Sequence, residues 1–126
     1  MEEKKIVLAI DDDSIQLAVF KGILSSKYNL QTANSASGAM NYIHNYQADV
    51  ILLDIKMPNI SGFEFLNDIH KIPSYIHVPI IIVSGNEGSE FFTQARASSA
   101  FAVMSKPVVP EELVDLIEKA ISAKKQ

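Results

Sequence analysis

Ile6-Val7-Leu8-Ala9-Ile10-Asp11-Asp12-Asp13 is the stretch that decides the fold. Five apolar residues run without a polar break, so the strand they predict is buried on both faces, as strands of parallel sheets are. The run ends abruptly at three acids. Val50-Ile51-Leu52-Leu53 repeats the pattern and ends at Asp54, and Ile80-Ile81-Ile82-Val83 repeats it again and ends at Ser84. Phe101-Ala102-Val103-Met104 is a shorter, weaker version, followed by Lys106-Pro107. Leu30-Gln31-Thr32-Ala33 alternates instead, which suits a sheet edge.

The segments between these runs have helical spacing. Ile15, Leu17, Ala18, Ile23 and Leu24 share one broad face, with Asp13 or Ser14 able to cap its start. Ala36, Ala39, Met40 and Ile43 form a second face behind Ser35. Phe63, Leu66 and Ile69 form a third, preceded by Ser61 and Glu64 at capping-box spacing. A fourth helix is expected from about Glu87 to Ser98, with Gly88 weakening its start. Leu113, Leu116, Ile117, Ala120 and Ile121 form the fifth, and Pro110 suits its first turn. Strand and helix thus alternate five times, which predicts an α/β fold: a mostly parallel five-stranded sheet, doubly wound as (βα)5, with helices on both faces.

At 126 residues the chain is expected to form one domain over 1–126, with no linker or low-complexity tract. A domain of this size can bury a core without disulfides or structural zinc. There is no cysteine, which excludes disulfides, zinc thiolates and iron–sulfur clusters. The net charge of −4 argues against nucleic acid as a direct partner. Lys119, Lys124 and Lys125 read as a solvated helix end. No signal peptide and no apolar run of membrane-spanning length is visible, so a soluble, cytoplasmic protein is expected.

In an open α/β sheet, ligands bind at the carboxyl ends of the strands. There this chain places Asp11, Asp12, Asp13, Asp54, Ser84 and Lys106. Neighbouring carboxylates repel, and a divalent cation such as Mg²⁺ would resolve that cost with oxygen ligands and water. Helix capping explains one or two of the first three acids, Asp13 above all. Asp54 could ligate the metal or act as a nucleophile, since carboxylates form aspartyl-phosphates. A hydroxyl at Ser84 and an ammonium at Lys106 both suit phosphoryl oxygens. X-Pro bonds are mostly trans, and Lys106-Pro107 is expected to follow. His44, His70 and His77 lack ligand spacing and read as surface or packing residues.

Taken in order, these elements resemble the receiver domain of two-component response regulators, of the stand-alone kind. The carriers are Val7 through Asp13, Asp54-Ile55-Lys56-Met57-Pro58-Asn59-Ile60-Ser61-Gly62, Val83-Ser84-Gly85 and Lys106-Pro107. The resemblance implies the flavodoxin-like strand order 2-1-3-4-5. It implies Asp54 as phosphoacceptor. It makes Asp12 a direct ligand of Mg²⁺ or Mn²⁺, with Asp11 acting through water and the Lys56 backbone carbonyl as a further ligand. Ser84 and Lys106 would bind the phosphoryl group. The implied donors are a sensor histidine kinase, a histidine phosphotransfer protein or acetyl phosphate. The output would be a downstream protein, or a homodimer through the fourth helix, fifth strand and fifth helix. The chain would be a switch rather than an enzyme, without membrane insertion.

Two rivals fit less well. A magnesium-dependent phosphatase with an Asp nucleophile wants a second acid two residues on, where this chain has Lys56. A flavin-binding module would meet three acids where its phosphate should sit. A receiver fold that binds partners without phosphorylation is a third alternative.

The chain also departs from the family. Three residues before the lysine the family usually carries Tyr or Phe, and here stands Val103, with Phe101 two residues earlier; Val108 replaces a common Phe. Lys56 and Asn86 occupy positions thought to tune phosphate lifetime. Phe91-Phe92 point about 100° apart on a helix, so equal burial is excluded, although both are expected to be partly core.

Overall fold

A computed structural model describes residues 3–85 and 88–124. Five strands, β1 (Ile6–Ile10), β2 (Asn29–Ala33), β3 (Val50–Leu53), β4 (Ile80–Ser84) and β5 (Ala102–Ser105), form one parallel sheet in the order β2-β1-β3-β4-β5. The expected doubly wound order is therefore the observed one. β1, β3 and β4 lie in the middle, and every residue of β3 and β4 is buried. That is why their sequences are Val, Ile and Leu up to the closing Ser84 of β4. β2 sits at an edge and is only partly buried, as its alternation requires.

The helices are α1 (Ser14–Leu24), α2 (Ala36–Asn45), α3 (Gly62–His70), α4 (Ser89–Ala97) and α5 (Pro110–Lys124), with one 3₁₀ turn, Pro73–Tyr75. Strand alternation splits the core in two. Leu8, Ile10, Ile51, Leu53, Ile80 and Ile82 face α2, α3 and α4, while Val7, Ala9, Val50, Leu52, Ile81 and Val83 face α1 and α5. Asp13 caps α1 by accepting from Ile15 N at 2.9 Å, and Ser35 caps α2 through Gly38 N. Ser61 accepts from Glu64 N, as the Ser-x-x-Glu spacing predicts. α4 is shorter than the expected span to Ser98, because Gly88 is its N-cap and Ser98 its C-cap; Glu87 lies outside the described residues.

The 3₁₀ turn was not legible from the sequence, yet it supplies Tyr75, the largest fully buried side chain. Its hydroxyl donates to Tyr46 O at 2.7 Å and accepts from Ala48 N at 2.9 Å. It thereby satisfies two backbone groups of the α2–β3 connection. Tyr75→Phe leaves both unpaired and is expected to cost about 1–3 kcal/mol. Urea unfolding should show a lower midpoint at unchanged slope.

Candidate functional site

Each strand ends at the same edge of the sheet, and four of the five deliver the chemistry there. β1 and β3 are paired in register from Val7↔Val50 to Ile10↔Leu53, so Asp11 and Asp54 leave the sheet side by side. β4 and β5 pair Ser84 with Ser105, and Lys106 N donates to Ser84 O at 2.7 Å. Carboxylate oxygens of Asp11, Asp12 and Asp54 all lie within 4.8 Å of one another. The Lys106 ammonium reaches Asp11 Oδ2 at 3.1 Å and Asp54 Oδ2 at 3.7 Å. The structure thus gathers Asp11, Asp12, Asp54 and Lys106, and brings the Ser84 strand end beside them. Asp13 turns away to cap α1.

Burial differs among the acids. Asp11 is 1% exposed and Asp54 6%, while Asp12 lies at the solvent-facing mouth. Asp11 is held at both oxygens: Oδ2 by Lys106 and Oδ1 by the Asp13 N–H at 2.9 Å. Asp54 Oδ1 accepts from Lys56 N at 3.0 Å. Burial raises the Asp54 carboxyl to about 6, and the neighbouring Asp11 charge pushes the same way; the Lys56 N–H and the Lys106 ammonium pull against them. One ammonium cannot neutralise three carboxylates. Hard oxygen donors of this charge suit a divalent cation with part of its water shell, so the residues present fit Mg²⁺ or Mn²⁺.

Stability should depend on pH with a fixed sign. The folded Asp54 holds its proton to about pH 6, whereas the unfolded group releases it near 3.8. The folded state therefore binds more protons in that window, and the Asp54 contribution to stability is lost as pH rises through it. Without divalent cation, Asp54→Asn should match the wild type near pH 4. It should exceed it at pH 7 and above, by at most about 3 kcal/mol. Unfolding curves of both proteins across that range, with and without Mg²⁺, check this.

Ser84 is 2% exposed, and its Oγ is buried without a hydrogen-bond partner among the described residues. A hydroxyl in that state loses its water bonds and gains nothing in return. The Lys106-Pro107 peptide is cis, contrary to the trans expectation. The loop after Asp54 closes tightly: Asn59 adopts φ 65°, a left-handed conformation that Asn tolerates better than most residues. Gly62 packs so closely that a Cβ on it would lie 2.4 Å from Ile55 O. Only glycine fits there, a constraint that spacing alone did not reveal.

The departures noted above have definite places. Val103 is half-buried among the α3/α4 core residues, and Phe101 is exposed. Phe91 is half-buried while Phe92 is 40% exposed, so the pair divides between core and surface. A cleft of about 840 Å³ runs from Asp12 and Lys56 past Met57 and Phe63 to Glu90 and Phe91. Asn86 lies outside the described residues, as does Lys125. His44 and His77 are exposed. His70 is a packing residue, donating from Nε2 to Val78 O at 2.9 Å and bonding Ser99 Oγ through Nδ1 at 2.6 Å. Among the described residues, no helix is long and apolar enough to cross a membrane.

Comparison with known proteins agrees with this fold. A receiver domain protein (CheY-like) from Methanospirillum hungatei superposes with a TM-score of 0.89 at 29% identity, covering 98% of both chains. One from Clostridium thermocellum gives 0.87 at 32%, covering 96% of this chain and 97% of that one. By sequence, a protein-glutamate methylesterase/protein-glutamine glutaminase of Anaeromyxobacter dehalogenans is 35% identical over 93% of this chain and 35% of its own length. A probable cyclic di-GMP phosphodiesterase of Vibrio cholerae is 33% identical over 81% of this chain and 23% of its own length. The chain spans from about a seventh to just over half the length of the curated relatives it matches. The response regulator receiver domain family itself matches residues 7–118, and the chain belongs to that family.

Proposed function

We propose that this chain is a phosphorylation-controlled switch, with Asp54 as phosphoacceptor and residues 1–126 acting as one receiver domain. The observation that carries the reading is the pairing of a buried Asp54 carboxylate with the Lys106 ammonium at 3.7 Å, beside two further acids. Asp12, Asp54 and the Lys56 backbone carbonyl would hold Mg²⁺ or Mn²⁺, with Asp11 acting through water. Bound there, the ion would neutralise phosphoryl oxygens during transfer.

The chain's own residues do the rest. An Asp54 oxygen forms the new O–P bond as the P–N bond of a donor phosphohistidine breaks, and the electron pair leaves with the imidazole. Lys106 turns from the carboxylates to the phosphoryl oxygens, as a point charge suits. Ser84 Oγ, without a partner among the described residues, donates to one of them. The product adds about −1.5 to −2 charges and new acceptor oxygens, which shifts a pre-existing equilibrium between two conformations.

The donor would be a sensor histidine kinase, a histidine phosphotransfer protein or acetyl phosphate. The output would be a protein target or a homodimer through α4, β5 and α5. The place of action would be the cytoplasm, with which a cysteine-free sequence is in keeping.

Intact mass after incubation with acetyl phosphate tests the proposal. A gain of one phosphoryl group that requires Mg²⁺ is the expected result. An unchanged mass with both acetyl phosphate and a phosphohistidine donor would overturn it in favour of a binding module that works unphosphorylated.

A further inference from the structure

Helix α4 is held to the domain less firmly than its neighbours. Ala95 is its one buried residue, whereas α3 buries Gly62, Phe65, Leu66 and Ile69. Its N-cap Gly88 makes no side-chain cap hydrogen bond. Elements with few buried apolar contacts shift at low free-energy cost. The first turn of α4 is seated by one side chain, Phe91. Its ring lies 5.8 Å from Phe63 of α3 and meets Phe92 edge-on at 5.3 Å. Both distances fall where aromatic rings attract.

Phe91 faces the same layer as Ser84. Ile80 and Ile82 belong to the α3/α4 core, and alternation along β4 puts Ser84 on that face with them. Phe63, Phe91 and Val103 all pack against that core. Val103, opposite Ile82 in the ladder, offers two methyl groups and no ring to swing. β5 is fixed to β4 from Ala102 to Ser105, so it cannot follow Ser84 without breaking that pairing. Only a short connection separates Ser84 from the first turn of α4.

We propose that in this chain the movement of Ser84 is passed to the seat of Phe91 on Phe63, at the first turn of α4. When Ser84 Oγ turns to an oxygen on phosphorylated Asp54, the first turn of α4 follows and Phe91 changes its seat on Phe63. The cleft between them, bordered by Met57 and Glu90, changes shape with it. This inference rests on the function proposed above.

Aromatic carbon spectra of phenylalanine-labelled protein test it, recorded with and without Mg²⁺ and beryllofluoride, a tetrahedral stand-in for a phosphoryl group. The largest changes are expected at Phe91 and Phe63. Phe20, buried in the α1/α5 core, should stay in place and reports an intact fold. Phe91→Leu should take up phosphoryl groups to the wild-type extent by mass, while the response at Phe63 falls to less than about half. Phosphorylation by mass with Phe91 and Phe63 unmoved overturns the inference and leaves the function standing. Failure of Asp54 to accept either group overturns both.

Discussion

Asp54→Asn is expected to take up no phosphoryl group from acetyl phosphate in Mg²⁺, with the rate falling by about 10³-fold or more. An amide carries no anionic oxygen to attack phosphorus, and the loss of a nucleophile removes the step itself. The fold should survive, because the variant removes a carboxylate whose ionisation burial opposes. Asp11 cannot take over readily, since Lys106 and the Asp13 N–H hold both of its oxygens. Any slow residual labelling should map to Asp12, the accessible acid. Intact mass against time, with peptide mapping, gives the answer. Uptake by the variant at the wild-type rate would remove Asp54 from its proposed role.

Gly62→Ala is expected to destabilise the domain by about 3 kcal/mol or more. The added Cβ would stand 2.4 Å from Ile55 O and 2.6 Å from Ile55 Cα. Those are backbone atoms, so the clash is relieved only by moving the loop or the start of α3. Overpacking against flexible side chains typically costs about 1–3 kcal/mol, and backbone gives way less easily. The same loop positions Asp54 and the Lys56 N–H that bonds it, so phosphoryl uptake should slow as well. Gly22→Ala supplies the control. Gly22 lies inside α1 with nothing within 4 Å of a new Cβ, and Ala there should add about 0.5–1 kcal/mol. Urea midpoints of the two variants should move in opposite directions.

Much of this architecture was legible because burial on both faces leaves a plain mark. Ile6–Ile10 and Val50–Leu53 were readable to the residue, since short unbroken apolar runs that stop at acids fit few elements besides buried strands. The polar cluster of the candidate site was readable because polar groups stop those runs at one edge of the sheet. β5 was misplaced by one residue, Phe101 proving exposed and outside the strand. Edge strands carry weaker apolar signals. The role of Gly62 was hidden because a close approach depends on backbone atoms, not on spacing. Tyr75 was hidden for a related reason: a short 3₁₀ turn has no periodicity, and a buried phenol looks in sequence like any aromatic residue.

The strand ladder also governs how the chain reaches its fold. Val7 pairs with Val50, Ile51 with Ile80 and Ile81 with Ala102. No pair is a hairpin, and each waits for a helix-bearing crossover to close. Loop entropy must be met before those contacts give anything back, so folding should be slow for a domain of this size. Meanwhile Ile80-Ile81-Ile82-Val83 stands unpaired, an uncharged β-prone segment of the kind that self-associates. Refolding yield should therefore fall with protein concentration, and β4 is where a charge added for the unfolded chain's benefit would do the folded one most harm.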